Sequence, residues 1–514
     1  DTYLGTSSNE KGEYALLNIP PKTYSIRFEM IGYKKLVNEG VTIISDKTTS
    51  LNGELVSSVI AGEEVVVVAE KKLIQFDVTQ SEAIISSEEL EGMPVTEVSE
   101  VLRLQGGVTV DSDGGIHMRG GRTSEVSYMV DGVPMSDLYD GGIGVQIEND
   151  NIQELQVISG TFNAEYGRAL TGVVNMVTKD GGNQFEGSLH TYAGDYQSSD
   201  KIYNNLNNLD LEDDYSVSAS LSGPILKDKV TFYSSGRVNQ SKGWLNGLQT
   251  FTIYGDTIFK DQNNNRYLDG NEEQKDPYYK GLNWHSSWST QNKVTFNLLK
   301  GTTFKINTIL NSRESQDYNF ALQLLEDAQI TNFNRGRFLG LSISHTISPT
   351  SFLQVNVSEN KYNYESYLFE DPLDNRYITP DSLFLARLEN RIPDHIIEQY
   401  GDQVQYFPAY SLYRAGVDNR RFERETKTNN YKLDFTSQIN KYNQVKLGLD
   451  FSSHSLMLDT YSLLDSTLTD QVYTPFIPDK ESFTRSYYVR KPTEFAIYAQ
   501  DKIEYGDMII NLGL

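Results

Sequence analysis

Val101-Leu102-Arg103-Leu104-Gln105-Gly106-Gly107-Val108, Ile116-His117-Met118-Arg119-Gly120-Gly121-Arg122 and Tyr128-Met129-Val130-Asp131-Gly132-Val133-Pro134 form a run of short apolar segments punctuated by glycine. The first reads as a short helix ending at Gly106-Gly107, the other two as strands closed by turns. Upstream, Ser86-Ser87-Glu88-Glu89-Leu90 offers an N-cap with acidic residues in the first helical turn. Downstream, Ile152-Gln153-Glu154-Leu155-Gln156-Val157-Ile158-Ser159-Gly160 and Gly172-Val173-Val174-Asn175-Met176-Val177-Thr178-Lys179 read as longer strands, with Glu165-Tyr166-Gly167-Arg168 between them. Residues 78–182 are therefore expected to form a compact α/β domain of a size that fills a barrel lumen.

Beyond residue 185 the pattern changes to period two. Val445, Leu447, Leu449 and Phe451 alternate with Lys446, Gly448, Asp450 and Ser452, and Leu353, Val355 and Val357 alternate with Gln354, Asn356 and Ser358. One apolar and one polar face is what a strand between lipid and a wet interior requires. Short turns near 223–228, 300–302, 348–350, 440–443 and 505–507 are separated by long connections near 197–213, 242–286, 314–334, 369–425 and 459–493. That alternation is the one made by periplasmic turns and external loops of an outer-membrane barrel. Roughly ten complete strands and the start of another fit this segment.

Composition bounds the alternatives. A chain of 514 residues exceeds one ordinary soluble domain. Mean hydropathy of -0.47 and the lack of a long apolar run argue against transmembrane helices but not against a barrel. Most of the 33 Tyr lie after residue 184, where an interfacial girdle needs them. A net charge of -25 disfavours nucleic acid, and the acidic stretch at 210–214 is most simply solvated loop. With no Cys, disulfide frameworks and thiol chemistry are excluded, and the six scattered His form no catalytic motif. No enzyme is expected.

In order and spacing, the four segments between Val101 and Lys179 resemble the plug domain of TonB-dependent outer-membrane transporters. Phe162-Asn163-Ala164-Glu165-Tyr166-Gly167-Arg168, Ser222-Gly223-Pro224-Ile225-Leu226-Lys227-Asp228-Lys229 and Tyr498-Ala499-Gln500-Asp501-Lys502 resemble Oar-like members more than the siderophore type. The resemblance implies a mainly β fold, with an α/β plug inside a transmembrane antiparallel β-barrel of about 22 strands, of which half is present. It also implies the outer membrane of a Gram-negative-type bacterium, import of a scarce substrate, and the TonB energising complex as partner. A surface adhesion or structural protein without transport is the alternative.

Tyr3 to Tyr33 reads as the later part of a small β-sandwich, with strands near Tyr14 and from Tyr24 to Met30, and resembles a carboxypeptidase-regulatory-like domain. Residues 1–58 are assigned to it, 59–77 to a connector, 78–182 to the plug and 183–514 to the barrel. The abrupt start and the unfinished strand at 508–514 suggest truncation at both ends. Within the connector, Glu64-Val65-Val66-Val67-Val68-Ala69 resembles a TonB box, a β-branched run suited to adding a strand to a partner sheet. The competing reading is a last strand of the sandwich.

Asp261, Asn263, Asn265, Asp269 and Glu272 fall at positions 1, 3, 5, 9 and 12 of an EF-hand-like loop, with a carbonyl from Tyr267 at position 7. Hard oxygens at that spacing suit calcium, although Arg266 replaces the usual glycine and no helices flank the loop; the alternative is a polar loop tip that only resembles a site. No cofactor is otherwise required. Arg119, Arg122 and Arg168 match recurrent plug positions, either to pair with barrel-wall carboxylates or to bond local backbone. Asp131 and Tyr166 belong to the same motifs, and Gly120, Gly132, Gly167 and Gly172 are read as turn or close-packing glycines.

Overall fold

The computed structural model describes residues 5–17, 19–45, 47–57, 64–68, 81–93, 95, 97–111, 114–200, 202–207, 209–249, 253, 279–325, 327–374, 376–377, 413, 416–466, 474–505 and 508–514. The calcium-loop candidates Asp261 to Glu272, and Ala69, lie outside them. Three bodies of β-structure follow one another along the chain.

The first is a sheet of β1 (Lys22–Phe28), β2 (Lys35–Ile43) and β3 (Glu64–Val68). β1 and β2 are antiparallel, and β3 joins β2 in parallel, with Lys35 opposite Glu64 and Glu39 opposite Val68. Of the two readings of Glu64–Val68, this pairing is the placement of a last strand. The expected sandwich is replaced, among the described residues, by this single sheet. Tyr14 is in no strand, because the Asn9 side chain takes the nearby donors: its Oδ1 accepts from the N–H groups of Lys11 and Glu13, each at 2.9 Å. Tyr14 instead packs edge-on against Phe28, ring centroids 5.5 Å apart.

The plug follows. Its strands are β4 (Ser81–Ser86), β5 (Val108–Val110), β6 (Ile116–Met118), β7 (Val126–Val130), β8 (Val133–Pro134), β9 (Ile152–Ser159) and β10 (Gly172–Thr178). Helices α1 (Ser87–Glu91) and α2 (Val98–Arg103) lie between β4 and β5, α1 opened by a capping box between Ser86 and Glu89. The main sheet runs β4-β9-β10-β7-β8, and β10 lies parallel to β7. Because β7 and β10 are buried along their whole length, both of their faces carry apolar residues, interrupted by the buried polar Ser127, Asn175 and Thr178. Val101, Leu102, Met118, Tyr128, Ile152, Leu155 and Met176 fill the core. Asp131 (φ 49°) and Gly132 (φ 78°) make the two-residue β7–β8 turn, whose left-handed backbone glycine adopts freely. At Gly172 a Cβ would stand 1.9 Å from Met118 Sδ, so any side chain there would require Met118 to move.

The remainder is a twelve-stranded antiparallel sheet, here called the wall. It comprises β11 (Glu186–Gly194), β12 (Asp214–Leu226) and β13 (Val230–Ser241), then, after a small hairpin of β14 (Asn246–Leu248) and β15 (Tyr279–Gly281), β16 (His285–Leu299), β17 (Thr302–Ser315), β18 (Thr331–Ser348), β19 (Ser351–Tyr367), β20 (Arg420–Gln438) and β21 (Asn443–Ser462). A second hairpin, β22 (Leu464–Ser466) with β23 (Thr474–Phe476), precedes β24 (Arg485–Arg490), β25 (Thr493–Tyr505) and β26 (Met508–Gly513). Both β24 and β25 pair with β21. The break between them is Pro492, which has no N–H to give the ladder; its carbonyl accepts from His454 N at 3.0 Å.

The two faces of the wall differ as the alternation requires. Leu447, Leu449 and Phe451 are 45%, 42% and 40% exposed, and Tyr431, Leu433, Phe495 and Ile497 share their face. On the other face Gln291, Lys293, Asn307, Asn430 and Ser452 are buried. Above the wall, connections between strands share a core of Ile253, Leu322, Leu325, Phe369, Tyr377 and Leu463.

Candidate functional site

The contact between plug and wall is the site this fold builds. Its polar side chains come from turns and strand ends of the plug and from every second residue of the wall. The wall adds Ile309 and Phe338 to the plug's apolar cluster, while hydrogen bonds and ion pairs make up much of the rest of the contact.

Four clusters follow the wall around the plug. At β12, β13 and β16, Arg237 meets Glu148 at 2.6 Å, Ser289 donates to Glu148 at 2.8 Å, Ser218 donates to Asp150 at 3.0 Å, and Tyr233 donates to Asn151 Oδ1 at 3.0 Å. At β16 and β17, Lys293 Nζ reaches Asp180 at 3.1 Å, Asp131 at 3.3 Å and Thr178 Oγ1 at 2.8 Å, and Lys305 donates to Asp180 at 2.6 Å. At β20, Arg424 bridges Asp140 at 2.7 Å and Asp137 at 3.2 Å, and Thr426 donates to Asp137 at 2.9 Å. At β21 and β25, Lys446 pairs with Glu165, and Arg168 pairs with Glu494 and lies 3.3 Å from His454 Nε2.

Burial raises the pKa of each of these plug carboxyls, and the neighbouring cations decide which way each finally moves. At Asp180 burial works against ionisation, but Lys293 and Lys305 outweigh it and hold the group well below the usual carboxylate range. Glu165 is lowered in the same way, with burial opposed by Lys446 and Lys432. Asp137 is raised: burial dominates there, and the neighbouring Asp140 adds to it despite Arg424.

Of the residues singled out in the sequence, Arg168 reaches a wall carboxylate. Arg119 and Arg122 stay local: Arg119 N donates to Gly107 O at 2.8 Å with its guanidinium against Gly160, and Arg122 N donates to Glu125 at 3.0 Å. Asp131 caps β10, accepting from Thr178 N at 2.9 Å and Thr178 Oγ1 at 2.8 Å, besides its pairing with Lys293. Gly132 O accepts from Lys432 at 3.4 Å. Tyr166 packs beside the Met129, Ile158 and Val173 cluster, and its N–H donates to Asn163 O at 3.1 Å. Gly120 has φ 78° and makes a turn with Arg119; Gly167 has no neighbour that a Cβ would touch.

Elsewhere the polarity is the reverse of the one expected from plug arginines. Plug acids face wall cations at Glu148–Arg237, Asp180–Lys293, Glu97–Arg313, Asp140–Arg424 and Glu165–Lys446. Short acids suit the plug's turns, and long Lys and Arg stems span the gap from the wall. The partners are separated by up to hundreds of residues, so local motif reading missed Lys293 and Arg424 and, though it set Lys446 on the polar face, gave it no partner.

The class of fold is thus a mixed-sheet plug seated on the polar face of an antiparallel β-wall. The chain is similar to TonB-dependent outer-membrane receptors. Residues 75–174 match the TonB-dependent Receptor Plug Domain and residues 1–67 the CarboxypepD_reg-like domain, the latter reaching into β3. The chain is similar to the TonB-dependent transporter Oar of Myxococcus xanthus, 26% identical over 246 residues, 44% of this chain and 23% of that protein. It is also 26% identical over 202 residues to the probable TonB-dependent siderophore receptor PirA of Acinetobacter baumannii, covering 35% of this chain and 25% of that one. Among solved structures, the unliganded ferric citrate transporter FecA aligns with TM-score 0.56 and 13% identity over 85% of this chain and 56% of that chain. The outer-membrane transporter YddB from Escherichia coli aligns with TM-score 0.54 and 12% identity over 84% and 55%. The matches to the two curated relatives thus span about a quarter of their length.

Proposed function

We propose that the chain is part of an active transporter of the outer membrane, in which the wall crosses the bilayer as barrel strands and the plug closes the lumen until a TonB complex acts on the N-terminal side. The observation that carries this reading is the division of the wall into an exposed apolar face and a polar face paired with the plug. Lipid accepts the first, and a water-lined passage accepts the second. Substrate bound among the external loops shifts the plug only through differential affinity for its two states. Uptake of substrate by cells carrying the full-length protein, measured with and without a functional TonB complex, tests the reading; equal uptake in both overturns it.

The stretch from Glu64 to Ala69 is the proposed TonB box, and calcium the proposed occupant of the loop from Asp261 to Glu272. Adhesion without import has one observation in its favour, the apolar core shared by the external connections, which suits a preformed binding surface. Surface binding that persists with no uptake at all would select it.

A further inference from the structure

The outward face of the wall carries a row of like charges. Arg337 on β18 lies directly opposite Lys361 on β19, and Lys361 directly opposite Lys427 on β20. Like charges in direct cross-strand register repel, so three adjacent cations are a cost that the sheet's own stability does not explain. Two carboxylates on the same face partly offset it: Glu359 takes Arg337 and, at 2.6 Å, Lys427, while Glu425 takes Lys361 at 2.7 Å. Within this row and its two partner acids one positive charge is left over, and the three cationic side chains remain 45%, 37% and 37% exposed; nearer the strand ends, Glu365 and Glu423 share the face, with Arg335 paired to Glu365.

Height on the wall decides what the row can meet. Four residues further along the same strands and the same face stand Leu341, Val357 and Tyr431, in register with one another and with Phe451 of β21. These belong to the apolar surface that the proposed function places in lipid. The cations lie toward the long-connection ends of the strands, about 13 Å of extended chain beyond that apolar row, at the edge of the hydrocarbon where long basic side chains extend toward headgroups.

We propose that Arg337, Lys361 and Lys427 bind the phosphate of an anionic lipid in the outer leaflet. The inference rests on the membrane-spanning reading of the wall. A phosphate group supplies the negative charge the row lacks, and acyl chains below it cover Leu341 and Tyr431, so one molecule satisfies both layers. A free phosphate ion would satisfy only the first.

The test uses the full-length protein reconstituted in phosphatidylcholine vesicles, with spin-labelled phosphatidic acid compared against spin-labelled phosphatidylcholine as the protein-bound lipid. The wild type is expected to prefer phosphatidic acid, and the triple variant Arg337→Gln, Lys361→Gln, Lys427→Gln to lose that preference by about fivefold or more, since each basic residue near a charged surface contributes about 1 kcal/mol. Glu359→Gln, which keeps all three cations and removes one competing acid, is expected to raise it, and guards against misfolding of the triple variant. Equal preference in wild type and both variants overturns the proposal. Absence of any motionally restricted lipid in the wild type would instead overturn the membrane reading beneath it.

Discussion

Lys293 of the wall and Asp180 of the plug stand 3.1 Å apart, and the lysine side chain is 3% exposed. A buried cation of this kind is held by its partners rather than by water, and the pair ties β16 to the segment that leaves the plug. Lys293→Met should therefore destabilise plug docking by about 3 kcal/mol, the low end for breaking a buried pair, because Lys305 still serves Asp180. Adding Asp180→Asn should return part of that loss. Urea unfolding of the full-length protein in detergent, run as a double-mutant cycle, checks both figures; additive losses would mean that the two side chains do not interact.

Acidification should act on the plug contacts in two directions. Asp180 and Glu165 have folded pKa values below their unfolded ones, so their stabilisation is complete above the ordinary carboxylate range and is lost only as pH falls through the lower folded values. Asp137 is raised, so its contribution has the opposite sign: it is present at low pH and declines as pH rises through the folded value. Hydrogen exchange across 136–144 should accordingly slow on mild acidification before the whole plug loosens in strong acid. In Asp137→Asn the early slowing should vanish.

β3 is an edge strand, and its backbone is the part that pairs. Val66→Pro removes a backbone N–H and imposes a fixed φ, which should weaken addition of a strand at this site. Energised uptake is expected to be abolished while substrate binding at the cell surface is unchanged. Retained uptake in the variant would separate Glu64–Val68 from the energising step.

Calcium uptake by the loop at 261–272 should be modest, about 10⁻⁴ to 10⁻³ M in Kd, the range of extracellular modules. Calorimetry on the full-length protein against the Asp261→Ala, Asp269→Ala double variant measures it. Identical heats from both would leave the loop without a metal role.

Much of this fold was legible because a strand's side chains repeat every two residues. Leu447, Leu449 and Phe451 are outward on β21, and Lys446 reaches the plug, as their alternation predicts. The Val126–Val130 and Gly172–Thr178 strands were legible without that alternation, as short, largely apolar and β-branched runs bounded by turns. The partners of the site were not. Asp140 and Arg424 are 284 positions apart, and no local pattern specifies which wall cation a plug acid meets. The N-terminal sheet misled at Tyr14, where the Asn9 side chain competes with the ladder for backbone donors.

Because many contacts holding the plug to the wall are polar, with Ile309 and Phe338 as apolar additions, docking has a thermal signature of its own. Exposing polar surface lowers heat capacity, whereas exposing apolar surface raises it. Withdrawal of an intact plug would thus carry a far smaller heat-capacity increment than melting the sheet built around Val101, Leu155 and Met176. A calorimetric trace can in that way tell a plug that slides out whole from one that unravels.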